Sequence, residues 1–173
     1  MNESSRQPNI LVIMTDQHAR RVAGCYGDPV VETPSIDRLA EQSLVFDDAY
    51  CPAPLCVPSR MAFLTGRYMH RNRVLDNGHM LSSSIPTWAH ALGAAGYETS
   101  LMGKMHFVGP DHRHGFELRP LGEFLARYPG VPELGGPRWT KFPGGTSGQQ
   151  RVSVDTVGTG FTTYHWFDRA VAD

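Results

Sequence analysis

Asn9–Met14 is an unbroken apolar run that ends abruptly in four polar residues, Thr15–His18. Continuous apolar and β-branched residues are typical of a strand covered on both faces of a parallel sheet. Open α/β sheets bind their ligands at the carboxyl ends of such strands. The run therefore predicts a buried strand with a ligand-binding end, and a solvated loop is the alternative interpretation of the four polar residues.

Strand-like and helical patterns alternate after this run. The predicted elements are a short helix opened by the N-cap and proline pair Thr33-Pro34, a strand over Ser43–Tyr50, a helix opened by Ile85-Pro86 and a strand over Tyr97–Met102. Alternation of strands and helices, with polar residues after strand ends, predicts an α/β sandwich.

The last third of the chain lacks this alternation. Residues 128–150 are rich in glycine and proline without periodicity, which predicts a long loop. Trp166, Phe167 and Val171 have helical spacing, but the chain stops at Asp173 without a helix stop signal. We therefore expect one domain that is cut short at its C-terminal end.

Composition and charge narrow the class of protein. The apolar and charged fractions, 40% and 19%, are those of an ordinary globular protein, and the net charge of -1 offers no field that attracts nucleic acid or an anionic membrane. No secretory pattern and no apolar run near ~20 residues is present. Three cysteines are too few for a disulfide framework, so we expect a cytoplasmic location.

Cys56–Arg67 is the most informative stretch, because it reads Cys-Val-Pro-Ser-Arg-Met-Ala-Phe-Leu-Thr-Gly-Arg. It resembles the signature of the sulfatase family, Cys-x-Pro-Ser-Arg followed by Thr-Gly-Arg, whose fixed positions would coincide by chance about once in 10⁹ windows. A free cysteine is usually a small buried thiol. The resemblance implies instead that a separate formylglycine-generating enzyme oxidises Cys56 to formylglycine, which hydrates to a geminal diol.

The local sequence also predicts where Cys56 lies. Pro58 suits the first turn of a helix that Ser59 to Leu64 can continue. Residue 56 then lies at a helix N-terminus, where free amides and the helix dipole favour an anion. Arg60 follows one turn later and can reach back toward that anion with a planar fork of donors.

Three further stretches resemble the same family in the expected order. They are Pro8–Gln17, Thr33–Leu39 and Gly103–His106, and together with the cysteine motif they extend the resemblance from about Pro8 to Glu117. The resemblance implies a three-layer sandwich around a mostly parallel sheet, as in alkaline phosphatase. Residues 1–173 would then be the N-terminal portion of a single catalytic domain, poorly active by itself.

The resemblance further implies a divalent cation and a set of sulfate contacts. The metal ligands would be Asp16, Gln17 and the nucleophile made from Cys56, with Ca²⁺ as the expected ion and Mn²⁺ as the alternative. Many relatives have two aspartates where this chain has Asp16 and Gln17, and the amide oxygen is a hard ligand without charge. Lys104 would contact the sulfate and His106 would hydrogen-bond the diol.

The implied reaction is hydrolysis of a small sulfate ester. A metal-activated diol hydroxyl attacks sulfur, Arg60 and Lys104 stabilise the transferring group, and His106 takes a proton from the second hydroxyl as sulfate leaves. Asp76–Gly78 and Ser84–His90 resemble bacterial choline sulfatases, which suggests choline-O-sulfate or another alkyl or aryl sulfate. The alternatives are a phosphonate monoester or phosphodiester hydrolase of the same superfamily, and an inactive remnant.

Overall fold

A computed structural model describes residues 7–122, 160 and 163–173. The chain divides into two compact units, an N-terminal unit over Met1–Tyr50 and a C-terminal unit over Cys51–Asp173. The long loop predicted over residues 128–150 lies outside the described residues. Within the described part, no helix combines the length and the apolar character needed to cross a bilayer.

The N-terminal unit contains two 3₁₀ turns, Arg20–Val22 and Gly24–Tyr26, and helix α1, Pro34–Ala40. The predicted helix after Thr33 is thereby confirmed. The Thr33 hydroxyl makes no cap bond with α1; it accepts from the Gly24 amide at 2.8 Å and donates to Asp37 at 2.9 Å. Thr33 therefore ties α1 to the second turn.

The two strands predicted in the N-terminal unit are wrong for the described residues. Asn9–Met14 and Ser43–Tyr50 contain no strand, and most of their apolar side chains are exposed, Leu11 to 84% and Leu44 to 88%. An apolar β-branched run forms a strand only where a neighbouring backbone accepts and donates its hydrogen bonds. In the described part of this unit, neither run pairs with a second strand.

The C-terminal unit contains four helices and a sheet in its described residues. The elements are α2, Cys56–Thr65; α3, Met69–Asn72; α4, Trp88–Ala94; β1, Ser100–Met102; β2, Leu118–Leu121; and α5, Thr163–Ala172. The strands are parallel, with Ser100 opposite Leu118 and Met102 opposite Leu121. The strand predicted to end at Met102 and the helical spacing near the C-terminus are confirmed.

Helix α4 begins two residues after the predicted start because Thr87 caps it. The Thr87 hydroxyl accepts from the His90 amide, and the Thr87 amide donates to Nδ1 of His90 at 3.2 Å. This reciprocal arrangement is a capping box in which histidine replaces the usual glutamate or glutamine. The Thr87 hydroxyl also donates to the His114 carbonyl at 2.6 Å, so the cap anchors a distant loop.

One hydrophobic core holds the C-terminal unit together, and α2 supplies its central face. Val57, Met61 and Leu64 are buried along α2, since residues at this spacing share one side of a helix. The other buried members are Val74, Leu81, Ala89, Leu101, Met105, Phe107 and Phe116. The core therefore joins the cysteine motif to the segment after β1.

Candidate active site

Helix α2 begins at Cys56, as the motif predicted. Leu55 is its N-cap residue and is extended, and Pro58 lies in the first turn. Cys56 is half-buried, whereas Val57 beside it is 1% exposed. The helix ends at Thr65, and Gly66 follows with a φ of 63°, the left-handed conformation that suits a glycine after a helix.

The expectation of free amides at this helix N-terminus is wrong for three of its first four positions. The Val57 amide donates to Oδ1 of Asn77 at 2.9 Å, and the Ser59 amide donates to the Leu55 carbonyl at 3.0 Å. Pro58 has no amide hydrogen. At this helix N-terminus the helix dipole and the Cys56 amide remain to favour an anion, and Arg60 follows one turn later as a charged donor.

Arg60 connects the cysteine motif to the Gly103–His106 stretch. Its side chain is 5% exposed, and Nη1 donates to the Lys104 carbonyl at 2.8 Å across 44 residues of sequence. A charged donor makes one of the stronger hydrogen bonds in proteins, and this one is largely shielded from water. Two of the predicted sulfate-contacting residues are therefore brought together, through the main chain of Lys104.

The Gly103–His106 stretch turns sharply after β1. The Gly103 amide donates to the Leu121 carbonyl at 3.0 Å, and Gly103 has a φ of 84°. A Cβ at this position would lie 3.0 Å from Cγ2 of Val171 on α5. Glycine is therefore required here both by the backbone conformation and by the close approach of α5.

His106 is buried, 7% exposed, and has a φ of 59°. A non-glycine residue in the left-handed region is disfavoured by about 1–2 kcal/mol, so the surrounding contacts must hold it there. Gln17 shares this feature with a φ of 56°. Backbone outliers thus occur at two of the residues singled out from the sequence.

Two further histidines that follow His106 in the sequence, His112 and His114, are also buried. His114 is 1% exposed, and its ring centroid is 4.7 Å from that of Phe107. The carbonyl of the neighbouring His112 accepts from Arg119 at 2.6 Å. His112 and His114 lie outside helices and strands, and a loop sequence contains no signal for burial.

Asp111 and His114 have displaced pKa values. Burial raises the pKa of Asp111, but hydrogen bonds from the amides of His114 and Arg113 outweigh it and hold the pKa at about 2. Burial lowers the pKa of His114, partly offset by Asp111, whose carboxylate lies 3.4 Å from Nδ1. His90, His112 and Arg119 lower it further.

Asp16 and Gln17 lie in the N-terminal unit and are both exposed. Their oxygens are the kind of donor that hard divalent cations take, and Ca²⁺ needs six to eight of them. In the parts of the chain that the structure covers, no group of three or more His, Cys, Asp or Glu side chains could hold a metal ion. The described donors match such a cation in kind and fall short in number.

A family model and the curated relatives of this chain point to the same family. The family model described as Sulfatase matches residues 8–137. The Choline-sulfatase of Rhizobium meliloti is 47% identical over 113 residues, which are 65% of this chain and 22% of that protein. The N-acetylglucosamine-6-O-sulfatase of Bacteroides thetaiotaomicron is 37% identical over 114 residues, 64% of this chain and 20% of that protein. The chain spans about a fifth of these relatives' length.

Two solved structures resemble the chain. A protein in complex with its substrate D-glucosamine-2-N,6-O-disulfate matches with a TM-score of 0.61 and 36% identity, covering 65% of this chain and 22% of that one. The phosphonate monoester hydrolase of Agrobacterium radiobacter matches with a TM-score of 0.60 and 28% identity, covering 66% and 26%. These matches, with the parallel sheet and its helices, confirm the predicted α/β fold class.

Proposed function

This chain belongs to the sulfatase family, and we propose that the protein carrying it hydrolyses sulfate esters through a nucleophile made from Cys56. The observation that carries the proposal is the hydrogen bond from Arg60 to the Lys104 carbonyl. It joins the helix that begins at Cys56 to the turn that contains Lys104 and His106. These four residues were selected from the sequence by their motifs.

The chemistry needs Cys56 to be converted to formylglycine by a separate enzyme and then hydrated. One hydroxyl of the diol loses its proton as its oxygen bonds to sulfur and the S–O bond to the alcohol breaks. The leaving oxygen takes up a proton, so the products are the free alcohol and a sulfate ester on residue 56. His106 then accepts the proton of the second hydroxyl, the C–O bond to sulfate breaks, and the aldehyde is restored. Arg60 and Lys104 offset the negative charge of the transferring group.

We propose choline-O-sulfate or another small alkyl or aryl sulfate as the substrate, because the Rhizobium meliloti relative is named Choline-sulfatase. Asp16 and Gln17 are the proposed ligands of a divalent cation, Ca²⁺ first and Mn²⁺ second, with the remaining ligands supplied elsewhere in the protein. A cytoplasmic location stays a prediction; Cys25, Cys51 and Cys56 are free thiols, which a reducing compartment preserves.

A phosphonate monoester hydrolase is the second candidate. The likeness to the Agrobacterium radiobacter enzyme, with a TM-score of 0.60, favours it. Sulfate and phosphonate monoesters both present a tetrahedral group with one negative charge, and they differ in the central atom and in the carbon substituent that phosphorus carries in the phosphonate. Turnover of paired aryl sulfate and aryl phosphonate substrates by the whole protein separates the candidates, and a higher kcat/KM for the phosphonate would contradict sulfate hydrolysis as the main activity.

The first experiment is peptide mass spectrometry after co-expression with a formylglycine-generating enzyme. Conversion of Cys56 lowers its peptide mass by about 18 Da, whereas ordinary thiol oxidation adds oxygen. Cys51 is the internal control, because it lies five residues away and must keep its thiol. An unmodified Cys56, in cells that convert a control sulfatase, would contradict the proposed nucleophile and favour the inactive remnant.

A further inference from the structure

The first turn of α2 is capped by a side chain that is distant in sequence. Leu55, the N-cap residue, has no side-chain oxygen and makes no side-chain cap bond. Oδ1 of Asn77 accepts from the Val57 amide at 2.9 Å instead, 20 residues away. Val57 directly follows Cys56, so this bond restrains the peptide unit that joins the two residues.

The segment that carries Asn77 is itself restrained. It is anchored on both sides by buried core residues, Val74 at 0% and Leu81 at 5% exposure, which share the core with Val57. Between them, Oδ1 of Asp76 accepts from the Gly78 amide at 2.8 Å and lies 2.6 Å from Nδ1 of His79. Asn77 is therefore held in place and half-buried at the tip of a closed turn.

The choice of asparagine has a chemical consequence. An aspartate would accept the same hydrogen bond, and aspartate and asparagine cap helices about equally well. A carboxylate would also place a full negative charge one residue from the position where a sulfate group must bind. A neutral amide oxygen caps the helix without repelling an anion.

We propose that Asn77 is a positioning residue for the nucleophile. Its side chain fixes the first turn of α2, and with it residue 56, and it adds no charge beside the nucleophile. The inference rests on the proposed function for its role in turnover. Its structural part does not, because the hydrogen bond to the Val57 amide can be measured in the 173-residue chain without any substrate.

The structural test is hydrogen exchange at single amides in the chain with Asn77→Ala and Asn77→Asp. The alanine variant loses the acceptor, and we expect exchange at Val57 to rise about tenfold while Leu64 in the same helix is unchanged. The aspartate variant restores the slow rate. Asp28→Ala is the matched control, because Oδ1 of Asp28 accepts from the Val30 and Val31 amides in the other unit.

A uniform rise in exchange along α2 in the alanine variant, or unchanged exchange at Val57, would contradict the positioning role.

The kinetic test uses the whole protein with residue 56 converted to formylglycine. We expect Asn77→Ala to lower kcat about tenfold with little change in KM, and Asn77→Asp to recover kcat but raise KM several-fold through charge repulsion. If both variants have the same kcat and KM as the parent protein, the proposal is wrong. If the parent protein is inactive, the proposed sulfate hydrolysis is wrong. Hydrogen exchange at the Val57 amide then tests the positioning role of Asn77 by itself.

Discussion

Replacing Gly103 by alanine is expected to destabilise the C-terminal unit more than the same change at Gly96. Both glycines are left-handed, with φ of 84° and 89°, so alanine costs about 1–2 kcal/mol at either position. They differ in surroundings: a Cβ at Gly103 would lie 3.0 Å from Cγ2 of Val171, whereas nothing lies within 4 Å at Gly96. Overpacking adds roughly 1 kcal/mol or more at Gly103.

The free energy of unfolding is measured by urea titration of the parent and the two single variants. Val171→Ala removes the crowded methyl groups, so the double variant Gly103→Ala/Val171→Ala should be less destabilised than the sum of its single variants by about 0.5–1 kcal/mol. Equal losses at Gly103 and Gly96, together with additive effects in the double variant, would refute the close packing of α5 against this turn.

Three further results are expected. Asp111 has a folded pKa near 2, below its ordinary value of 3.8, and His114 has a lowered pKa, so both groups bind protons more readily when unfolded. The urea midpoint of unfolding should therefore fall as the pH drops below about 6.5, and again between about pH 4 and pH 2. His114→Gln should remove the first decline. A midpoint that rises in acid would contradict this expectation. Thr87→Ala should cost about 1–2 kcal/mol because it removes the α4 cap and the bond to the His114 carbonyl, while Thr87→Ser should cost clearly less; equal unfolding free energies for the two variants would contradict the capping role. Arg60→Met should lower stability by roughly 1.5–3 kcal/mol by leaving the Lys104 carbonyl without its charged donor, and unchanged urea unfolding would show that this bond carries little free energy.

The candidate site was predictable where its residues carry a dense local motif. Cys56 and Arg60 belong to one contiguous signature, and Lys104 and His106 to a short one, so the sequence alone predicts all four. The sequence does not identify Asn77 as a site residue, because a turn sequence such as Asp76-Asn77-Gly78 predicts a turn and does not predict which distant amide its side chain contacts.

The sequence by itself determined helices α1, α2, α4 and α5 and the motif residues, because capping residues, proline positions and helical spacing act within one or two turns of chain. It did not predict α3 or β2. It predicted strands over Asn9–Met14 and Ser43–Tyr50 that the described structure lacks, since a strand depends on a partner that apolar patterning cannot supply. Tertiary structure alone decided the contacts of Arg60 with Lys104 and of Asn77 with Val57. Those bonds join segments 44 and 20 residues apart, and their geometry follows from the path of the whole chain and the packing of the core.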